Sequence, residues 1–105
     1  MSEGTHVWSG KSGRSYVYRI YQLPPRMKRL AGNYIFAKRT EIGGWLPVYI
    51  GETDNLSKGP RRDPPLECVR ANGATHLHAH AHDGDEAARR LEVDDLLELW
   101  SPPCS

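Results

Sequence analysis

Two neighbouring segments rich in aromatic and β-branched residues constrain the fold most strongly. The first covers residues 33–39 (NYIFAKR) after Gly32, and the second covers residues 45–51 (WLPVYIG). Such residues are typical of β-strands, and the Gly43-Gly44 pair between the segments can adopt the positive φ that a reversal needs. The sequence therefore predicts an antiparallel hairpin. Pro47 indicates an edge strand, because proline cannot donate a hydrogen bond to a ladder.

Two further segments alternate with the period of a strand. Residues 15–23 (SYVYRIYQL) precede the hairpin and end at two prolines, and residues 74–82 (ATHLHAHAH) follow it. The first is expected to be an extra N-terminal strand. Residues 1–15 are rich in glycine and serine, so we expect a flexible segment there, followed by a single domain over residues 16–105.

Helix signals lie between and after these strands. Thr53 or Asp54 is expected to cap a short helix that Gly59-Pro60 ends, which leaves Arg61 and Arg62 in a polar loop. After residue 82, DGDE (residues 83–86) resembles a capping box. A C-terminal amphipathic helix is predicted because apolar residues follow at i, i+3, i+4 and i+7, namely Val93, Leu96, Leu97 and Trp100.

Composition excludes several classes of protein. A chain of 105 residues with 38% hydrophobic content forms one small domain. No apolar run approaches the roughly 18 residues of a membrane-spanning helix, and the N-terminus lacks the pattern of a secretory signal. Two cysteines cannot form a disulfide framework, so Cys68 and Cys104 are expected to be buried or incidental thiols, although the sequence leaves open whether they pair. These features predict a reduced, cytoplasmic protein without a membrane partner.

Charge is distributed unevenly along the chain. Residues 1–72 hold 12 Lys and Arg against 6 Asp and Glu, whereas residues 73–105 hold 2 against 7. The basic part could meet a polyanion, but the overall net charge of +1 is too mild for tight non-specific DNA binding. An ordinary solvated surface explains the same pattern equally well.

The two hairpin segments carry a recognisable motif. Gly32-Asn33-Tyr34 and Tyr49-Ile50-Gly51 resemble the two halves of the GIY-YIG motif of small endonuclease domains, and the ETDNL string after Gly51 continues the match. The GATH string at residues 73–76 and the PPC ending at residues 102–104 are also similar to bacterial members. The resemblance covers about residues 31–105. It implies an α+β fold, with a three-stranded antiparallel sheet flanked by helices, to which residues 15–23 add an extra strand.

The resemblance also implies a chemistry, namely DNA phosphodiester hydrolysis with Mg²⁺ or Mn²⁺. In the family the motif tyrosines, here Tyr34 and Tyr49, lie at the scissile phosphate, an arginine neutralises it, and a glutamate binds the metal. Attack on a phosphodiester accumulates negative charge, so a cation and a Lewis acid supply most of the rate. A tyrosine acts as a base only where positive charge stabilises its phenolate.

The chain departs from the family at two of these positions. Gly59 stands where the family has its arginine, and Val93 stands where it has its metal-binding glutamate. Glu92 is then the candidate metal ligand. The candidates for holding phosphate or nucleic acid are basic residues near the motif, namely Lys38, Arg39, Lys58, Arg61 and Arg62, of which the last two are the catalytic candidates. The preferred interpretation is still a metal-dependent DNA endonuclease, with reduced activity. The departures motivate the alternative, a catalytically inactive module of this fold that binds nucleic acid or a protein.

Four histidines alternate along the last predicted strand, at residues 76, 78, 80 and 82. On a strand they share one face, about 6.6–7 Å apart, and two such imidazoles can hold one zinc ion. A polar, half-solvated sheet face is the other interpretation. Both remain open from the sequence, since no cysteine pair completes a closed metal site.

Overall fold

A computed structural model describes residues 2–105 of the chain, and this part contains five β-strands and three α-helices. In chain order, the elements are β1 (Ser2–Ser9), β2 (Ser15–Gln22), β3 (Gly32–Arg39), β4 (Trp45–Thr53), α1 (Gly59–Arg62), α2 (Leu66–Ala71), β5 (His76–Ala81) and α3 (Glu86–Leu99). None of the helices in these residues is both long and apolar enough to cross a membrane.

All five strands form one antiparallel sheet in the order β1-β2-β5-β3-β4. The α+β class holds, but the predicted three-stranded sheet is wrong. The N-terminal hairpin is the reason for the difference. Strand β2 pairs with β5 through registers such as Arg19↔Ala79, and so extends the sheet where β5 would otherwise present unpaired backbone groups.

Strand β1 occupies most of the segment that was predicted to be flexible. Its pairs with β2 include Val7↔Val17 and Trp8↔Tyr16. Trp8 is only 1% exposed and packs in the core. Burial of Trp8 and the ladder to β2 together stabilise a segment whose glycine- and serine-rich sequence favours mobility.

Each face of the sheet has its own apolar cluster. Helix α3 covers one face, where Val93 and Leu96 pack against Trp8, Ile35 and Ile50. The other face carries a cluster with Tyr34, Phe36 and Leu77, which is covered by Leu56 and by Val69 of α2. Because side chains alternate along a strand, consecutive residues of β3 belong to different faces.

Helix α1 begins at the residues that were predicted to end a helix. Gly59 and Pro60 form its first turn, where proline is favoured because its missing N–H would have no partner there. Arg61 and Arg62 therefore lie on a helix and not in a loop. The predicted C-terminal helix is confirmed as α3, but its cap differs from the predicted capping box. Asp83 would be the cap in that box, whereas the Asp85 carboxylate accepts a hydrogen bond from the Ala88 N–H at 2.9 Å and caps the helix.

The C-terminal tail lies along β4, which is an edge strand as Pro47 predicted. The Cys104 N–H donates to the Val48 carbonyl, and the Ile50 N–H donates to the Ser105 hydroxyl. A disulfide joins Cys104 to Cys68 of α2, with their Cα atoms 5.8 Å apart. The expectation of two thiols is therefore wrong. Folding brings together residues that are 36 positions apart in the chain, which the sequence spacing does not reveal.

Candidate functional site

Tyr34 and Tyr49 lie side by side on the sheet face that α2 covers. Their ring centroids are 6.0 Å apart with an interplanar angle of 28°. Gly51, the strand partner of Tyr34, makes this arrangement possible: a Cβ there would lie 3.0 Å from the Tyr34 hydroxyl and 2.8 Å from a ring carbon of Tyr49. The absence of a side chain at this motif glycine therefore leaves room for both tyrosine rings.

The Tyr34 phenol is buried and electrostatically unsuited to ionise. Tyr34 is inaccessible to solvent, and its hydroxyl has no hydrogen-bond partner among the residues that the structure describes. Burial raises the pKa of Tyr34 well above its usual value, and the neighbouring Tyr49 and Asp63 add to the rise. A general base would need the opposite environment. Tyr34 is therefore a neutral phenol across the physiological pH range.

The two candidate arginines project from α1 into solvent. The Arg61 guanidinium donates to the Ser57 carbonyl at 2.9 Å, and the Arg62 guanidinium donates to the Asp63 carboxylate at the same distance. Both side chains are exposed, so they can exchange these partners for a phosphate at modest cost. Asp63 partly neutralises Arg62 in the arrangement seen here.

Glu92 lies on the opposite face of the sheet from the tyrosine pair. The Asn33 amide donates to the Arg89 carbonyl of α3 at 3.0 Å, so the Asn33 side chain points toward α3. Tyr34, the next residue of β3, points away from it. The structure therefore brings Tyr34 and Tyr49 together, but it does not bring Glu92 to them.

Around Glu92 the structure assembles a polar cluster that sequence reasoning missed. The Tyr18 hydroxyl donates to Glu92 Oε2 at 2.5 Å, and His80 Nε2 lies 2.6 Å from the same oxygen. His82 Nε2 lies 3.7 Å from Oε1. Burial, and then the charge of Glu92, raises the pKa of Tyr18 well above its usual value, so this phenol remains a donor. Strand alternation places Tyr18 and the histidines on one face, but only pairing of β2 with β5 makes them neighbours.

The donor set at Glu92 does not fit the Mg²⁺ or Mn²⁺ that the family resemblance implies. Mg²⁺ takes oxygen ligands and is usually held through one or two accessible carboxylates. Glu92 is 5% exposed, and its Oε2 is already shared between a phenol and an imidazole. No group of three or more His, Cys, Asp or Glu in the described part of the chain is placed to hold a metal ion.

The histidine row is divided between two environments. His80 and His82 approach Glu92, whereas His78 is buried among aromatic rings and its Nδ1 accepts a hydrogen bond from Trp8 Nε1 at 3.0 Å. The His76 ring packs edge-on against Trp45, with centroids 4.9 Å apart. The alternation did place these side chains on one face, as predicted. Their neighbours are those of a packed sheet face, and zinc binding there remains untested.

Gly32 begins β3, and Leu56 and α1 lie near it. Lys38 and Arg39 are at the opposite end of this strand. The Arg39 guanidinium stacks over the Trp45 ring at 4.8 Å from its centroid. Residues 34 and 39 are separated by about 17 Å of extended strand. The predicted nucleic-acid contacts thus form two groups, one at this strand end and the other on Lys58 and the two arginines.

No protein-family model, curated protein or solved structure matches this chain.

Proposed function

We propose that this protein is a nucleic-acid-binding module with a GIY-YIG-like arrangement of its β3–β4–α1–α2–β5–α3 part, and that it does not hydrolyse its ligand. The observation that carries the proposal is steric: both positions at which the resemblance requires a catalytic side chain are packed so tightly that they exclude one.

Gly59 is the first of these positions. A Cβ at Gly59 would collide with the side chain of Thr53, which itself accepts a hydrogen bond from the Asn55 N–H at 3.1 Å. An arginine at this position would require the β4–α1 connection to move. The close packing at Gly59 therefore supports the interpretation that this chain has no room for the arginine of the family at this position.

Val93 is the second position. It is 1% exposed and packs in the same cluster as Trp8 and Leu96. A glutamate there would place a carboxylate in an apolar core, at a cost of several kcal/mol unless it were paired. Glu92, one residue earlier, has its own buried partners on the face away from the tyrosines, which supports a structural role for it.

Exposed cations support the binding part of the proposal. Lys58, Arg61 and Arg62 lie together at α1, on the same side of the sheet as the motif tyrosines. Guanidinium groups offer forked donors that match phosphate oxygens. Each phosphate that they neutralise releases counterions, so the affinity should fall steeply with salt.

The proposal is tested by measuring binding and cleavage on the same protein preparation. Fluorescence anisotropy with labelled DNA should show binding that weakens between 50 and 200 mM salt, by about tenfold for two to three phosphate contacts, and that does not change on adding EDTA. Supercoiled plasmid with Mg²⁺ or Mn²⁺ should remain intact. Absence of any nucleic-acid binding would refute the proposal and leave a protein partner as the ligand.

Plasmid nicking would instead favour the metal-dependent DNA endonuclease that the resemblance implies. Two variants then separate the protein from a contaminating nuclease: Tyr49→Phe and Glu92→Gln should both abolish nicking if these residues act in hydrolysis. Nicking that both variants retain would come from a contaminant.

A cytoplasmic location belongs to the same proposal, since nucleic acid is the partner. The Cys68–Cys104 disulfide bears on this location, because reducing compartments rarely preserve structural disulfides. Trapping thiols in freshly lysed cells and counting the free cysteines under denaturing conditions tests this point. Two trapped thiols per chain would support a cytoplasmic location. The absence of any trapped thiol would indicate an oxidising compartment.

A further inference from the structure

The sheet face opposite α3 is only partly covered. Helices α1 and α2 lie over the β3–β4 side, whereas on β1 and β2 the side chains of Val7 and Val17 remain 50% and 56% exposed. A groove with a volume of about 650 Å³ opens there, between strand β2 and the segment at residues 26–30 that follows it. Surface of this kind on a small protein commonly marks a binding site.

Among the residues whose side chains the structure describes, three cations and no carboxylate line this groove. The cations are Arg19, Arg26 and Lys28, all of them exposed, and in the described part of the chain none of them is held in an ion pair. The contrast with the cavity beside α3 is sharp, because that cavity of about 560 Å³ is lined by four carboxylates, at residues 92, 94, 95 and 98. The groove is therefore lined by cations, whereas the lining of the cavity beside α3 is mainly acidic, with Arg14 as its one Lys or Arg among the described residues.

The floor of the groove borders the buried cluster that contains Tyr34. Strand registers place Thr5 beside Arg19, Arg19 beside Ala79, and Ala79 beside Tyr34. These residues form one cross-strand row with neighbouring strands about 4.8 Å apart. Ala79 and Tyr34 in this row are inaccessible to solvent, so the row is open at Thr5 and Arg19, and the partly exposed Tyr21 ring lies beside it.

We propose that this groove binds single-stranded nucleic acid, an inference that rests on the function proposed above and names its substrate class. Single strands are bound by positively charged grooves in which bases stack on aromatic rings, and Arg19, Lys28 and Tyr21 supply these two parts. A duplex is read by a helix or ribbon that protrudes into its groove. Here the cations line a concave channel between a sheet and a loop, which a flexible single strand can enter and a rigid duplex cannot.

The first test compares a labelled 12-nucleotide oligothymidine with a 12-base-pair duplex in fluorescence anisotropy. We expect the single strand to bind at least several-fold more tightly. The Arg19→Ala/Lys28→Ala variant should weaken this binding about tenfold and reduce the salt slope by about 1.4, which is 0.7 for each lost phosphate contact. The matched control is Lys11→Ala/Arg14→Ala, which removes the same charge from the other end of β2 and should leave the affinity within twofold.

A second measurement locates the strand directly. Photocrosslinking with a 5-iodouracil oligonucleotide, followed by mass spectrometry, should attach the oligonucleotide to the peptide that contains Tyr21. The groove is refuted if the wild type binds nucleic acid while the Arg19→Ala/Lys28→Ala variant binds equally well, if the duplex binds as tightly as the single strand, or if crosslinks map only to α1. The binding part of the proposed function fails if the wild type binds neither oligonucleotide, which distinguishes its failure from that of the groove.

Discussion

His78 makes the stability of this protein depend on pH within an accessible range. The imidazole is inaccessible to solvent, and its Nδ1 accepts the hydrogen bond from Trp8 Nε1. Burial, with smaller contributions from His6 and His76, lowers the pKa of His78 from 6.5 to about 3. The nitrogen that accepts from Trp8 must remain unprotonated, so protonation would break a buried hydrogen bond as well as bury a charge.

The sign and size of the effect follow from proton linkage. Below pH 6.5 the unfolded chain takes up a proton at His78, whereas the folded chain does not do so until the pH approaches about 3. The contribution to stability is thus fully present above about pH 7.5 and is lost as the pH falls. Between pH 8 and pH 5 the free energy of unfolding should decrease by about 2 kcal/mol from this residue alone. Burial lowers the pKa of His6 too, which adds in the same direction.

The assay is denaturant unfolding followed by tryptophan fluorescence at pH 8, 6.5 and 5. The wild type is compared with His78→Asn, whose amide oxygen can still accept from Trp8 but cannot titrate. We expect the wild type to lose about 2 kcal/mol more than the variant between pH 8 and pH 5. If both proteins lose the same stability, His78 is not the acid-sensitive group and the argument from its burial is incorrect.

Three further predictions concern the positions that shape the fold. Gly59→Arg should lower the free energy of unfolding by about 1–3 kcal/mol, because its Cβ would collide with Thr53. An unchanged urea midpoint would show that an arginine fits at this position, and would weaken the case against hydrolysis. Cys104→Ser should cost about 3–4 kcal/mol, the entropy of closing a 36-residue loop, and wild type treated with reductant should match it in thermal unfolding. Asp85→Ala should cost about 1 kcal/mol by removing the α3 cap, whereas Asp85→Asn, which can still cap, should stay within a few tenths of the wild type in the same unfolding measurement.

Glu92 is a glutamate, the residue type that the predicted metal site needs, but the structure places it apart from the tyrosines. Its carboxylate is on the predicted helix, and the tyrosines are on the predicted hairpin. The face that each side chain occupies depends on how α3 packs across the sheet, with Val93 and Leu96 turned inward and Glu92 turned toward β2 and β5. A rotation of about 100° separates residues 92 and 93 on a helix. One position along the helix therefore decides whether a carboxylate reaches His80 or enters the apolar cluster of Val93, and at either position the sheet separates it from the tyrosines.

Local patterns were sufficient for the elements whose signals are local. Period-two alternation identified β2 and β5, aromatic and β-branched residues around a glycine turn identified β3 and β4, and the apolar stripe identified α3. These signals act between residues a few positions apart, so the sequence displays them directly. The same is true of Pro47 on an edge strand, since a missing N–H is a property of the residue itself.

Only the tertiary structure decided the size of the sheet, the disulfide and the division of the site. Strand β1 exists because Trp8 finds a core that is built from distant residues, and Cys68 meets Cys104 because the chain end returns along β4. Gly59, which reads as a helix terminator, instead begins α1, and Thr53 leaves no room for a side chain at this position. Each of these outcomes depends on contacts between segments that are far apart in sequence. The free energy of these contacts depends on which surfaces are buried together, and a local sequence pattern does not specify that.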